Sequence, residues 1–191
     1  MRSQFLTALR LFFLLSMVCG VFYPLALTGI AQLAFPLEAN GSLIQSHGQV
    51  IGSSLIGQSF TSPAYFWSRP SATMPMANNG AASGGSNLAP SNPALIDGIK
   101  QRIAALKTAD PDNTAAIPVD LVTASASGLD PDISLAAAYY QAARIARERA
   151  LPLAQVRALI SHHAQQKTLG LLGEARVNVL ALNLALATMP K

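Results

Sequence analysis

From residue 11 to residue 37 the chain carries no charged side chain. Coiled as a helix, that run is ~40 Å long, against a hydrocarbon core of ~30 Å. A helix bonds its own backbone, so such a run can cross lipid without leaving a polar group unpaired. Arg2 and Arg10 precede it, and Glu38 is the first charge after it. Cations on the N-terminal side predict residues 1–10 in the cytoplasm, 11–35 as a transmembrane helix, and 36–191 as one extracytoplasmic (periplasmic) domain. The competing reading is a cleaved signal peptide. Its apolar core would be shorter and end at a small-x-small site, and Ala31 and Ala34 have the wrong spacing. A retained anchor is therefore expected. Pro24, in mid-span, should kink the helix or mark a packing site. Ser16, Gly20 and Pro24 succeed one another at four-residue spacing, a line of small residues on which another membrane helix could pack. Read blandly, such residues are ordinary in membrane helices.

Beyond this segment the chain is long enough for one modest domain with its own core. Only 12% of its residues are charged, and the net charge of +4 is scattered. Nucleic-acid binding is unsupported, because phosphate contacts need clustered cations. The one cysteine, Cys19, lies inside the apolar run, so the chain has no internal disulfide.

The outer region centres on residues 119–149. A β-branched run over 119–123 reads as a buried strand. A Ser/Ala/Gly stretch follows, with Ser125, Ser127 and Gly128, small enough to let backbones approach closely. Asp130-Pro131 then opens a helix, Asp130 as N-cap and Pro131 at the first helical position. Ile133, Ala136 or Ala137, Tyr140 and Ala143 recur at helical spacing, and Arg144, Arg147, Glu148 and Arg149 give a polar side.

Around this unit the chain reads in order. Leu43-Ile44-Gln45 and Gln49-Val50-Ile51-Gly52 flank a hairpin turn at Ser46-His47-Gly48, and 53–60 continues in extended form. Arg69 stands beside Tyr65, Phe66 and Trp67; it either snorkels and bonds loop carbonyls or holds an anion. Residues 72–92 have the composition of a long loop. Its Ser83-Gly84-Gly85-Ser86-Asn87 lacks the Gly-Lys-Ser/Thr ending of a nucleotide cradle. Asn92-Pro93 caps a helix with Ile96, Ile99, Ile103 and Leu106 inward. Another helix starts at Leu151-Pro152 with a Val156, Leu159, Ile160 stripe, and Gly170 and Gly173 break the chain. Residues 177–186 read equally as buried strand or terminal helix.

Catalytic chemistry finds little to use. A nucleophilic serine, Ser125 or Ser127, needs an oriented base, and the adjacent His162 and His163 point in different directions on a helix. No metal-binding histidine pair and no phosphorylation motif occur. No catalytic, cofactor or metal residues are expected.

Several short stretches together carry a family likeness. They are Asn40-Gly41-Ser42-Leu43-Ile44, Leu55-Ile56-Gly57-Gln58 with Phe60, and Tyr65-Phe66 with Arg69-Pro70-Ser71-Ala72-Thr73. Ala82-Ser83-Gly84-Gly85-Ser86-Asn87-Leu88, Ser91-Asn92-Pro93, 121–129, Val177-Asn178-Val179 and Leu182-Asn183-Leu184-Ala185-Leu186 complete the set. In this order and spacing the chain resembles, over nearly its full length, the C subunit of the bacterial Kdp-type potassium-transporting P-type ATPase. The resemblance implies an α+β outer domain on a single inner-membrane helix. It also implies three partners: a channel-like potassium-translocating subunit, a P-type ATPase catalytic subunit and a small single-helix subunit. In such a complex ATP, Mg and K+ are handled by the other subunits. The C subunit stabilises the assembly and raises the apparent ATP affinity of the catalytic subunit, which for an outer domain requires conformational coupling through the membrane. A free-standing anchored serine hydrolase is the alternative. Expected partner-facing residues are Ser16, Gly20, Pro24, Arg69, Asn87 and Asn92. The bland alternative for the 72–92 loop is that it folds back on its own domain.

Overall fold

The computed structural model describes residues 2–46 and 48–189; His47, in the expected hairpin turn, and the last two residues lie outside the described residues. The chain forms two compact units, Met1–Leu43 and Ile44–Lys191.

In the first unit, α1 (Arg2–Met17), a π turn (Val18–Phe22) and α2 (Tyr23–Ala34) run on as one helix of 33 residues, whose most apolar 18-residue stretch has mean hydropathy 2.1. None of its residues is buried. The helix begins before the uncharged run, since a charge at position 10 does not interrupt backbone bonding. The π turn has a local cause. Pro24 lacks an N–H and its ring crowds the carbonyl one turn back, and just before it Tyr23 N–H reaches five residues back to Val18 O. Phe35 leaves the helical region because Pro36 follows it. A short α3 (Pro36–Ala39) comes next. Asn40 Nδ2 ties this end together, donating to Pro36 O at 2.7 Å and Gln32 Oε1 at 3.0 Å.

The second unit is α+β. Strands β1 (Leu43–Ser46) and β2 (Gln49–Ser53) form one two-stranded sheet; β3 (Asp132–Ser134) and β4 (Arg176–Asn178) form the other. In the latter, Ile133 faces Val177 in antiparallel register, and both are buried. Each of these short strands runs straight into a helix: β3 into α5 (Leu135–Arg149), β4 into α7 (Val179–Thr188). With α6 (Leu153–His163) they enclose the core of Ala137, Ala138, Ala142, Ile145, Val156, Ile160, Leu182 and Leu186. Helix α4 (Pro93–Ala109) joins through Leu106. It starts as expected, with the Asn92 side chain accepting Ala94 N–H at 2.9 Å.

Between β2 and α4 the chain forms no helix or strand, yet its backbone is paired. Asn183, on α7, both accepts Phe66 N–H (2.8 Å) and donates to Phe66 O (2.9 Å). Gln141, on α5, treats Trp67 in the same way at 2.8 and 3.2 Å. Arg144 donates to Pro63 O and Tyr65 O, and Arg149 Nε to Ala64 O. Side chains of two helices thus stand in for a neighbouring strand, which satisfies the requirement that buried backbone groups be bonded.

Five expectations are corrected. Residues 119–123 are not a strand: Val119–Leu121 is a single 3₁₀ turn, and Val119 is 69% exposed. The turn brings the Asp120 carboxylate to Ser134, accepting its N–H at 2.8 Å. Asp130 does not cap the central helix and Pro131 is not in its first turn; Ser134 caps it, accepting Ala137 N–H at 3.0 Å. Asp130-Pro131 leads instead into β3, where Ile133 gains a partner strand. Arg144 belongs to the buried face of α5 rather than its polar side, at 2% exposure. Ile96 is exposed, and the extended run beyond β2 ends at a turn over residues 54–56. The ambiguous 177–186 segment splits, with Val177 and Asn178 in strand and the rest in helix.

Candidate functional site

Two neighbouring features gather most of the sequence-picked residues of the second unit. The first is a loop pressed against the Ser/Ala/Gly stretch. Ser71 Oγ donates to Gly128 O (2.7 Å) and accepts Asn78 N–H (2.9 Å). Thr73 Oγ1 donates to Met76 O (2.7 Å) and accepts Asn79 N–H (3.0 Å). Farther on, Gly84 N–H and Ser83 Oγ both reach Ser127 O, at 2.9 and 3.0 Å. Gly57 N–H reaches Leu129 O at 2.8 Å.

Glycine is required at this crossing. Gly128 has φ +68, and a Cβ on it would lie 2.5 Å from Thr73 Cγ2 and 2.6 Å from Gly84 O. A Cβ on Gly85 would sit 2.9 Å from Ala126 O. Ser83-Gly84-Gly85 is therefore a place where two backbones meet, and the Gly84 N–H is spent on Ser127 O. The early part of the 72–92 loop does fold back on its own domain. Asn87 stays exposed, at φ +50. Asn92 has its side-chain oxygen engaged in capping α4.

The second feature is an open cleft of about 470 Å³ beside β3 and β4, lined by Arg69, Asp120, Asp130, Asp132, Glu174 and Arg176 among others. Its charges form a chain of pairs. Arg69 Nη1 meets Asp130 Oδ2 at 2.9 Å, while Asp130 Oδ1 accepts Asp132 N–H at 3.0 Å. Arg176 Nε meets Asp132 Oδ2 at 2.8 Å. Burial nevertheless pushes the Asp132 carboxyl above its usual range, outweighing the pull of Arg176. A close ion pair can therefore leave a net cost for the carboxylate that makes it. Asp120 holds Ser134 through N–H and Oγ. Asp120, Asp130 and Asp132 are bound to the frame of the fold, while Glu174 is exposed and pairs with Lys167.

The candidate nucleophiles have no such setting. Ser125 is buried, and Ser127 Oγ accepts Leu129 N–H at 3.1 Å. The His162 and His163 rings meet edge to face, and the His163 pKa is lowered, first by burial and then by its neighbour. Among the described residues no group of three His, Cys, Asp or Glu side chains could hold a metal. In the first unit Ser16, Gly20 and Pro24 are exposed, and nothing lies within 4 Å of a Cβ built on Gly20. Sequence reasoning missed Gln141, Arg144 and Asn183. For the two amides, a polar residue in an apolar run was the available signal, since a buried amide must find partners; Arg144, among other charges, gave none.

Comparison with known proteins places this architecture. The family model described as KdpC, K+-transporting ATPase, c chain, matches residues 5–188. A protein of Janthinobacterium sp. (strain Marseille), named potassium-transporting ATPase KdpC subunit, is 62% identical over 97% of this chain and 98% of its own length. Proteins of the same name from Variovorax paradoxus (strain S110) and Dechloromonas aromatica (strain RCB) are 65% and 56% identical. They cover 94% and 100% of this chain, and 93% and 100% of their own lengths. With one apolar N-terminal helix and an α+β unit, matched over residues 5–188, the chain belongs to the KdpC family of K+-transporting ATPase c chains.

Proposed function

We infer that this chain is a non-catalytic subunit of an ATP-driven potassium uptake pump. It assembles with a channel-like potassium-translocating subunit, a P-type ATPase subunit and a small single-helix subunit. The observation that carries this reading is the family match over nearly the whole chain. In the cleft Asp120, Asp130 and Asp132 are engaged within the fold, and Ser127 Oγ accepts Leu129 N–H. ATP, Mg and K+ are left to the other subunits. The Arg2 and Arg10 cations before the span favour an N-terminus in the cytoplasm and an outer unit on the other face of the inner membrane. From there the chain stabilises the complex, and it raises the apparent ATP affinity only through coupling across the membrane subunits. Asn87, exposed on its loop, is the partner-facing residue the geometry leaves most open. Ser16, Gly20 and Pro24 offer a helix face to another span, and Arg69 fixes the base of the loop through Asp130.

The chain, purified from its native membrane after protease treatment of sealed right-side-out vesicles, tests this reading. Large membrane partners in fixed ratio, with the outer unit cleaved, are the expected result. A lone protein labelled by a serine-directed probe, or one protected from the protease, would contradict the subunit role or the orientation respectively.

A further inference from the structure

A pocket of about 180 Å³ in the second unit lies between the 59–70 segment, helix α4 and Leu121. Two arginines line it, Arg69 and Arg102, and among the described residues no acid does. Neither arginine has its bonding complete. Arg69 gives Nη1 to Asp130, but its Nε is buried with no acceptor among the described residues. Such an unpaired buried donor is rare because it is costly. Arg102 donates from Nη1 to Val122 O at 2.8 Å, and no carboxylate of the described residues pairs with it. Burial lowers its pKa. Two serines also line the pocket, and they differ. Ser68 Oγ spends its proton on Gln58 O, whereas Ser59 Oγ accepts Asn78 Nδ2 at 3.2 Å and keeps its own proton to give.

We propose that this pocket binds a small carboxylic acid in its ionised form, held by the Arg69 and Arg102 guanidiniums and the Ser59 hydroxyl. Charge, geometry and wall chemistry set the class. The two guanidiniums set against the Asp130 carboxylate leave one positive charge unmatched, which suits a monoanion better than phosphate. Because Asp130 takes Nη1 of Arg69, the Nε–Nη2 edge is left over, the edge that grips a carboxylate with two parallel bonds. A small turn of the guanidinium opens Nε to the pocket. The remaining walls include Phe60, Trp67, Leu106 and Leu121, which suit a hydrocarbon tail. At ~30 Å³ for each water the volume equals about six waters, enough for an acid the size of butyrate.

Trp67 is the only tryptophan of the chain and lines the pocket, so its emission reports binding to the purified full chain in detergent. At constant ionic strength, replacing chloride by butyrate or acetate is expected to change that emission saturably. Arg102→Gln keeps an N–H for Val122 O but no charge, and should weaken the binding about tenfold or more. Lys100→Gln, on the exposed side of the same helix, should leave it as it was. Far-UV circular dichroism checks that each variant folds. If Arg102→Gln does not, Ser59→Ala, which removes one donor, should weaken binding about threefold in its place. No saturation with either acid overturns the assignment, as does saturation by phosphate alone. So does binding that survives Arg102→Gln unchanged, or Ser59→Ala where that variant is used. The titration involves this chain alone, so its failure is distinct from failure of the pump reading.

Discussion

Replacing Arg144 with Ala is expected to lower the stability of the α+β unit by about 3–5 kcal/mol. The side chain is almost fully buried. It donates to Pro63 O, Tyr65 O and Gln141 Oε1, and its guanidinium lies 4.8 Å from the centre of the Trp67 ring. Burial pushes its pKa down to about 10, so it remains charged at neutral pH at a desolvation cost. Its bonds offset that cost. Once it is removed, two carbonyls of an irregular segment are left without donors, each worth about 1–3 kcal/mol, and a void opens beneath the Trp67 ring. Melting of the full chain in detergent should drop by about 10 °C or more. Arg144→Met, which keeps volume but not bonds, should recover only part of that. A melting temperature near that of the unaltered chain would mean the 63–67 segment is not held in this way.

Asn183 is expected to be nearly as sensitive. It is the lone polar side chain in Val179–Leu186 of α7, and by apolar pattern alone Leu would suit the position better. Its amide bonds both backbone groups of Phe66, the most buried aromatic residue of the core. Asn183→Leu and Asn183→Ala should each cost about 2–4 kcal/mol, because either leaves a buried N–H and a buried C=O unpaired. Asn183→Asp should also fail, since a carboxylate accepts from Phe66 N–H but cannot donate to Phe66 O. Melting of these three variants checks the point. A neutral or stabilising Asn183→Leu would show that packing, and not backbone pairing, decides this position.

These two residues also explain how far the sequence could be read. The apolar helix was plain from the absence of charge between 11 and 37, and the Asn92-Pro93 cap was legible because capping is local. The Ser/Ala/Gly crossing was legible too, since only small residues allow what Gly128 and Gly85 meet there. What failed was assignment that depends on a distant partner. Asp130-Pro131 has the form of a helix start, but Val177, more than forty residues away, turns the next residues into a strand. Arg144 sits among surface-type charges in sequence and is buried only because the 63–67 segment has no strand of its own to pair with. Asp120, Asp132 and Arg176 give no local sign of their shared cleft, which exists only once β3 and β4 meet.

In the proposed role the pump needs this chain, while the chain performs none of the chemistry. Potassium-stimulated ATP hydrolysis, measured in membranes lacking this chain, with the chain restored, and with the Ser125→Ala, Ser127→Ala form restored, tests that directly. The expected result is loss of stimulated hydrolysis without the chain and full recovery with either form. Hydrolysis that persists without the chain, or recovery with the unaltered chain but not with the serine-free one, would contradict it.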